Sequence, residues 1–199
     1  MPDKQTDIAA MISARICHDL ISPIGAISNG IELLELSGAP QSPEMALIND
    51  SVKSANAKVR FLRIAFGDAA SSGTIAYSEI KDILANTYHG MPLKLIWAIN
   101  TPLERIDLKL CFLLLLCIEK IQPYGGTLKV SRTDTDLRFD ITGRDLKTNG
   151  FWDTQTMRIS SQTGPSFIQF NLAQSLLDDL GYTLHMGKNG DEISMLIQT

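Results

Sequence analysis

Three cysteines, three histidines and two tryptophans are few for a chain of 199 residues, and where they fall removes several classes of function. Cys17, Cys111 and Cys117 are odd in number and form no CxxC pair. Each lies in an apolar helical pattern, which suits a reduced, buried thiol in a cytoplasmic protein. The histidines are dispersed, so no Cys/His cluster has metal-ligand spacing, and the chain is expected to hold no metal of its own. No run of lysine and arginine occurs and the net charge is −4, which argues against nucleic acid or an acidic membrane as a partner. The most apolar stretch, Leu108 to Ile121, includes Lys109, Glu119 and Lys120; it is too short and too charged to span a bilayer. The opening MPDKQTDIAAM lacks the basic segment and apolar core of a secretory signal.

What the chain does carry is concentrated in Ala14 to Leu36, ARICHDLISPIGAISNGIELLEL. Ile16, Leu20, Ile24, Ile27, Ile31 and Leu34 recur at helical spacing and predict one buried stripe. A second row, Arg15, His18, Ser22, Gly25, Asn29 and Glu32, recurs at the same spacing on another face. His18 lies about 200° around the helix from Leu20, at 3.6 residues per turn. Side chains this small and polar leave room for another protein to approach. His18 has two readings: a solvated histidine on the polar side of an amphipathic helix, or a nucleophile whose neutral ring nitrogen attacks a phosphoryl group near pH 7. Pro23, five residues on, costs a helix about 3 kcal/mol and predicts a bend there.

Asp7 is a candidate cap for a helix over 8–36, which Gly38-Ala-Pro40 ends. Ser42 caps a second helix that has Pro43 at its first position and runs to about Phe66. Ile48, Val52, Ala55, Val59, Leu62 and Phe66 form a heptad-like stripe on it, while Arg60 and Arg63 lie off the stripe and read as solvated. A hairpin of two such helices would expose apolar surface. A twofold pair of hairpins solves this as a four-helix bundle, so a homodimer is expected; the other solution is that the second half of the chain covers the stripes. GDAASSGT, residues 67–74, reads as a linker. Beyond it come a helix over Tyr77 to Tyr88, a strand over Leu93 to Ile99, a buried helix over Leu108 to Ile121, and a hairpin of Thr127 to Arg132 with Leu137 to Thr142. A helix over Phe167 to Leu180 and a final hairpin, Tyr182 to Met186 with Glu192 to Ile197, complete the chain. The expected fold is α+β: an antiparallel helical hairpin over 1–70, forming a dimeric four-helix bundle, followed by an α/β sandwich over 71–199.

His18, Asp19, Leu20, Ile21, Ser22 and Pro23 fill all six places of the motif of the phosphoacceptor helix in two-component histidine kinases, which this stretch resembles. The second half resembles the ATP-binding domain of those kinases in the order of its elements and around IEKIQPYGGTLKV. Its nucleotide groups do not match: Cys117 stands where the resemblance would place a magnesium-holding asparagine, and a soft thiol is a poor magnesium ligand. Ile141-Thr-Gly143-Arg-Asp145 lacks the adenine-reading acid of a DxGxG stretch, and GPSFIQFN keeps one glycine of a glycine-rich segment. A phosphoacceptor hairpin joined to a degenerate kinase domain resembles the ChpT-type histidine phosphotransferases of alphaproteobacterial cell-cycle relays, over about Ile8 to Thr199.

The resemblance implies a phosphorelay intermediate without ATP. His18 would take a phosphoryl group from the receiver aspartate of a hybrid histidine kinase and pass it to the receiver aspartate of a response regulator. Asp19 would orient the ring; Arg15, Ser22, Gly25, Asn29 and Glu32 would lie under the receiver, which supplies Mg2+. Two other classes stand beside this one: an ATP-dependent histidine kinase with unusual nucleotide motifs, and a non-catalytic dimeric scaffold for receivers.

Overall fold

The computed structural model describes residues 4–38, 42–68, 72–133, 136–147, 151–153, 158–159, 164 and 167–199, with helical side chains at the N-terminal end described from Ile16 onward. Two long helices come first, α1 (Lys4–Leu36) and α2 (Pro43–Phe66). They pack as an antiparallel hairpin, with Asn49 Nδ2 donating to Glu35 Oε1 at 3.3 Å. The Ser42 hydroxyl accepts from the Met45 N–H at 3.2 Å and Pro43 opens α2, so this start follows from the capping signal. Asp7 is not the cap of α1, which already runs from Lys4. Pro23 lies inside α1, as the reading of one long helix expects.

The remaining elements are β1 (Thr74–Ile75), α3 (Tyr77–Thr87), β2 (Leu93–Trp97), β3 (Leu103–Glu104), α4 (Arg105–Ile121), β4 (Gly126–Thr133), β5 (Asp136–Thr142), β6 (Trp152–Asp153), β7 (Arg158–Ile159), α5 (Ile168–Leu180), β8 (Thr183–Asn189) and β9 (Glu192–Gln198). Five strands form one sheet in the order β2-β4-β5-β9-β8; β2 and β4 are parallel and the other pairs antiparallel. Alternation puts Leu128, Val130, Leu137, Phe139, Ile141, Ile193, Met195 and Ile197 on the covered face. Lys94, Lys129, Arg138 and Ser194 stay exposed on the other. The hairpin read around Asp134 is present on both sides of residues 134–135, which lie outside the described residues. At the far end Asn189 pairs with Glu192 across Gly190-Asp191, with Gly190 at φ +59° supplying the left-handed turn.

Helix α4 is apolar almost all round because it is covered on two sides, by the sheet and by α2. That second contact runs across the expected division of the chain. Phe61, Ile64 and Ala65 of α2 are buried in the same hydrophobic core as the sheet, so the core crosses the boundary placed between 1–70 and 71–199. The described parts of the supposed linker are held as well. The Arg105 N–H donates to Gly73 O at 2.8 Å, Thr74 and Ile75 pair with Glu104 and Leu103, and the buried Lys109 ammonium donates to Gly67 O. Arg60 is not a solvated side chain: it bridges α2 to α3 through Asp82 at 2.8 Å and Glu79 at 3.3 Å.

The α1 stripe also needs correction within one chain. The face against α2 is Cys17, Ile21, Ile24, Ser28 and Ile31, and of the expected stripe only Ile31 is fully buried. Ile16, Leu20, Ile27 and Leu34 remain between 46% and 54% exposed. One neighbouring helix covers only one edge of a stripe this wide.

Candidate functional site

His18 sits at mid-length of α1 with its side chain 80% exposed. Its position follows from helical period: Cys17 faces α2, and the next residue, about 100° further round, must leave that contact. Asp19 Oδ1 lies 3.3 Å from His18 Nδ1. A carboxylate there favours the tautomer with its proton on Nδ1, which leaves the lone pair on Nε2, the nitrogen pointed away from the chain's own acid. Pro23, one turn beyond Asp19 along the same helix, brings no N–H of its own to it.

The other members of the row share this face. Ser22, Asn29 and Glu32 are exposed. Gly25 is half-buried, yet a Cβ built there would meet nothing within 4 Å, so its missing side chain opens the surface rather than accommodating a neighbour. Arg15 lies on α1, with its side chain outside the described residues. At 100° per residue the row falls on roughly the opposite side of α1 from Ile16, Leu20, Ile27 and Leu34. The helix therefore presents a small polar face and an apolar face, with α2 between them.

Elsewhere in the molecule, Cys117 and Ile141, two positions where the sequence departs from a nucleotide site, belong to the hydrophobic core. Cys117 and Cys111 are fully buried in the core side of α4, and burial pushes both thiols above their ordinary range. Ile141 is 1% exposed, its side chain part of the core. Gly143 is explained by Gln122: a Cβ there would meet Gln122 Nε2 at 2.5 Å, and that amide donates to Thr142 O at 2.8 Å. In the segment that would close over phosphates, Gly164 is described and residues 165–166 are not, while Phe151 stacks on Phe170 at 4.8 Å and packs against the core. The Cys117 thiol and the Ile141 side chain offer no oxygen ligand to a magnesium-nucleotide. Among the described residues, no group of three or more His, Cys, Asp or Glu could hold a metal ion, and no helix is long and apolar enough to cross a membrane.

The family description "Histidine phosphotransferase C-terminal domain" matches residues 77–192, the region of the core sheet and its helices. The chain belongs to the histidine phosphotransferases. It is 40% identical over 147 residues to the protein phosphotransferase ChpT of Brucella abortus (strain 2308), a match that covers 71% of this chain and 70% of that one. In three dimensions it resembles a bacterial phosphotransferase with a TM-score of 0.65 at 22% identity, over 100% of this chain and 98% of the other, a likeness of fold. This phosphotransferase thus joins the family's C-terminal domain to a helical hairpin whose one outward histidine carries an acid beside it.

Sequence reasoning found the face but not its attachment. Arg60, Glu79 and Asp82, which tie the hairpin to α3, are separated by 19 and 22 residues, and no local pattern signals such a pair.

Proposed function

We propose that the chain is a phosphorelay intermediate, carrying a phosphoryl group on His18 between two receiver aspartates. The observation that carries this reading is the exposed His18 ring, with Asp19 at Nδ1 and small residues around it, in a member of the histidine phosphotransferases. In the first half-reaction the Nε2 lone pair attacks the phosphorus of an aspartyl phosphate. The N–P bond forms, the P–O bond to the carboxylate breaks, and the carboxylate leaves with the electron pair. The ring becomes an imidazolium whose Nδ1 proton faces Asp19, which stabilises the added charge. The second half-reaction runs the same step in reverse, toward the aspartate of a response regulator. Transfer of this kind needs chiefly in-line positioning and charge neutralisation. The receiver brings the Mg2+ and the anion-binding groups, and this chain brings the nucleophile on a rigid helix. Ser22, Gly25, Asn29, Glu32 and Arg15 form the floor on which the receiver docks. The partners are the receiver of a hybrid kinase and those of response regulators, in a cell-cycle relay as the resemblance implies.

The same reading includes a homodimer. Ile16, Leu20, Ile27 and Leu34 of α1, with Leu47 and Ile48 of α2, are exposed in a single chain. A twofold bundle covers them and leaves both His18 faces outward.

The test is to mix the purified protein with a receiver phosphorylated on aspartate and follow the label. Acid-labile label on the wild-type chain and none on His18→Gln, with His89→Gln and His185→Gln unchanged, supports the relay. Label arriving from ATP with magnesium points to a kinase, and undiminished relay through His18→Gln points to a scaffold.

A further inference from the structure

Strand β2 is one edge of the five-stranded sheet. Beside it runs a groove of about 410 Å³ between α3 and β2, to which neither α1 nor α2 contributes. Its walls include Lys81 and Leu84 of α3 and the consecutive residues Leu93, Lys94 and Leu95 of β2. Successive strand side chains point to opposite faces. Three consecutive residues can line one groove only if the backbone edge of the strand forms the wall.

The hydrogen bonds to β4 say which backbone groups that edge offers. Gly126 N–H donates to Pro92 O and Ala98 N–H donates to Val130 O. Even-numbered residues of β2 therefore turn toward β4. By alternation Leu93, Leu95 and Trp97 direct their N–H and C=O groups outward along the open edge. The Trp97 side chain lines the same groove, and its indole N–H is buried without an acceptor among the described residues. Ile96 and Met91, on and beside β2, are large apolar side chains left 39% and 38% exposed. Lys81 and Lys94 are exposed, and neither makes an ion pair among the described residues.

We propose that this edge is a docking site for an extended segment of another protein, in which apolar and acidic residues alternate, added as a sixth strand beside β2. The backbone of the segment would pair with Leu93, Leu95 and Trp97. Its inward side chains would enter the groove against Leu84 and Trp97. Its outward side chains would stand opposite Lys94, where a cross-strand carboxylate is favourable, with a further acid in reach of Lys81. A second copy of the chain is the poorer occupant, because β2 reads LKLIW and would bring a lysine, not an acid, to an edge that already has one. The site shares no residue with the His18 face and does not depend on the phosphotransfer reading.

The probe is a display library of seven-residue segments, selected on the full-length protein and counter-selected on Lys81→Glu/Lys94→Glu. Enriched sequences should alternate apolar residues with Asp or Glu. A synthetic peptide of the leading sequence should change Trp97 fluorescence, read against Trp97→Phe as background, and slow amide exchange at Leu93 and Leu95. Its affinity should fall at least tenfold in the double variant and when its backbone is N-methylated at alternate residues. No enrichment, basic or patternless sequences, binding that survives N-methylation, or self-association of the chain through β2 in place of peptide binding would each overturn the proposal.

Discussion

Phe61 of α2 lies flat on Phe112 of α4, with ring centroids 4.2 Å apart and planes 7° from parallel. Both rings are fully buried, and the pair joins the hairpin to the sheet domain. Truncating a phenylalanine in such a place removes its burial energy and leaves a void. Phe61→Ala should cost about 3–5 kcal/mol. Part of that should be specific to the pair, about 0.5–1.5 kcal/mol in a double-mutant cycle with Phe112→Ala. Urea unfolding of the four proteins measures both. A coupling indistinguishable from zero would show that the stacked geometry adds nothing beyond area.

The chain should lose stability in alkali. Burial holds the Tyr88 hydroxyl well above its ordinary value of 10.0, and the carboxylate of Glu119, 2.6 Å away, pushes the same way. Burial likewise raises Cys111, Cys117 and Tyr182. Each group keeps its proton in the folded chain after the unfolded chain has released it. Their contribution is whole below about pH 9 and is lost as pH rises through 9 to 10 and beyond. Lys109, lowered by burial, works in the opposite sense, since the unfolded chain binds its proton more strongly and stability from this group rises with pH up to about 10.5. Four groups against one give a net fall. Each fully buried group that titrates completely contributes a slope of up to about 1.4 kcal/mol per pH unit, and the largely exposed Tyr182 contributes less. Unfolding midpoints from pH 7 to 11 should fall above pH 9, less steeply in Tyr88→Phe.

Leu20 and Ile27 are 46% and 52% exposed in one chain, so replacing them with aspartate disturbs little within it. In a bundle of two hairpins the same carboxylates would be buried without partners, at a cost of a few kcal/mol each. Leu20→Asp/Ile27→Asp should sediment as a folded monomer while the unaltered protein sediments as a dimer. A wild-type monomer at micromolar concentration would end the two-hairpin proposal. Val59, a natural choice from the heptad pattern, is the wrong probe, because it is already 7% exposed inside the hairpin and its replacement would damage the fold.

Gly25 separates folding from docking. Nothing lies within 4 Å of a Cβ there, and an interior helical glycine costs roughly 1 kcal/mol relative to alanine. Gly25→Ala should therefore raise stability by up to about that amount. Gly25→Trp should leave the thermal midpoint nearly unchanged but slow phosphoryl transfer from a receiver at least tenfold. Unimpaired transfer by the tryptophan variant would place the receiver elsewhere.

The helices and the hairpins are legible because their signals are local: period, a cap at Ser42, a glycine at 190. The face carrying His18 was legible for the same reason. The role of Phe61 was not. Helix α2 is apolar on two sides, and the longer stripe through Val52 and Val59 outweighs the short set Phe61, Ile64 and Ala65, which sits among Lys58, Arg60 and Arg63. Period shows that a second apolar patch exists but not what covers it. The two-residue strands β1 and β3 are too short to carry alternation at all. Composition alone makes residues 67–74 read as a linker, whereas Lys109 and Arg105, from a distant helix, decide how residues 67 and 73 are held.

The shared core through α2 has a consequence for the timing of recognition. Two lobes on a loose tether must be frozen relative to one another whenever a partner touches both, and the lost freedom weakens and slows each encounter. Here that freedom is surrendered once, during folding, when Phe61, Ile64 and Ala65 enter the core and Arg60 closes on Asp82. An incoming protein meets a surface already set. For the receivers proposed above, the orientational search alone would then limit capture, at about 10⁵–10⁷ M⁻¹s⁻¹ without electrostatic help, and each would find the same surface.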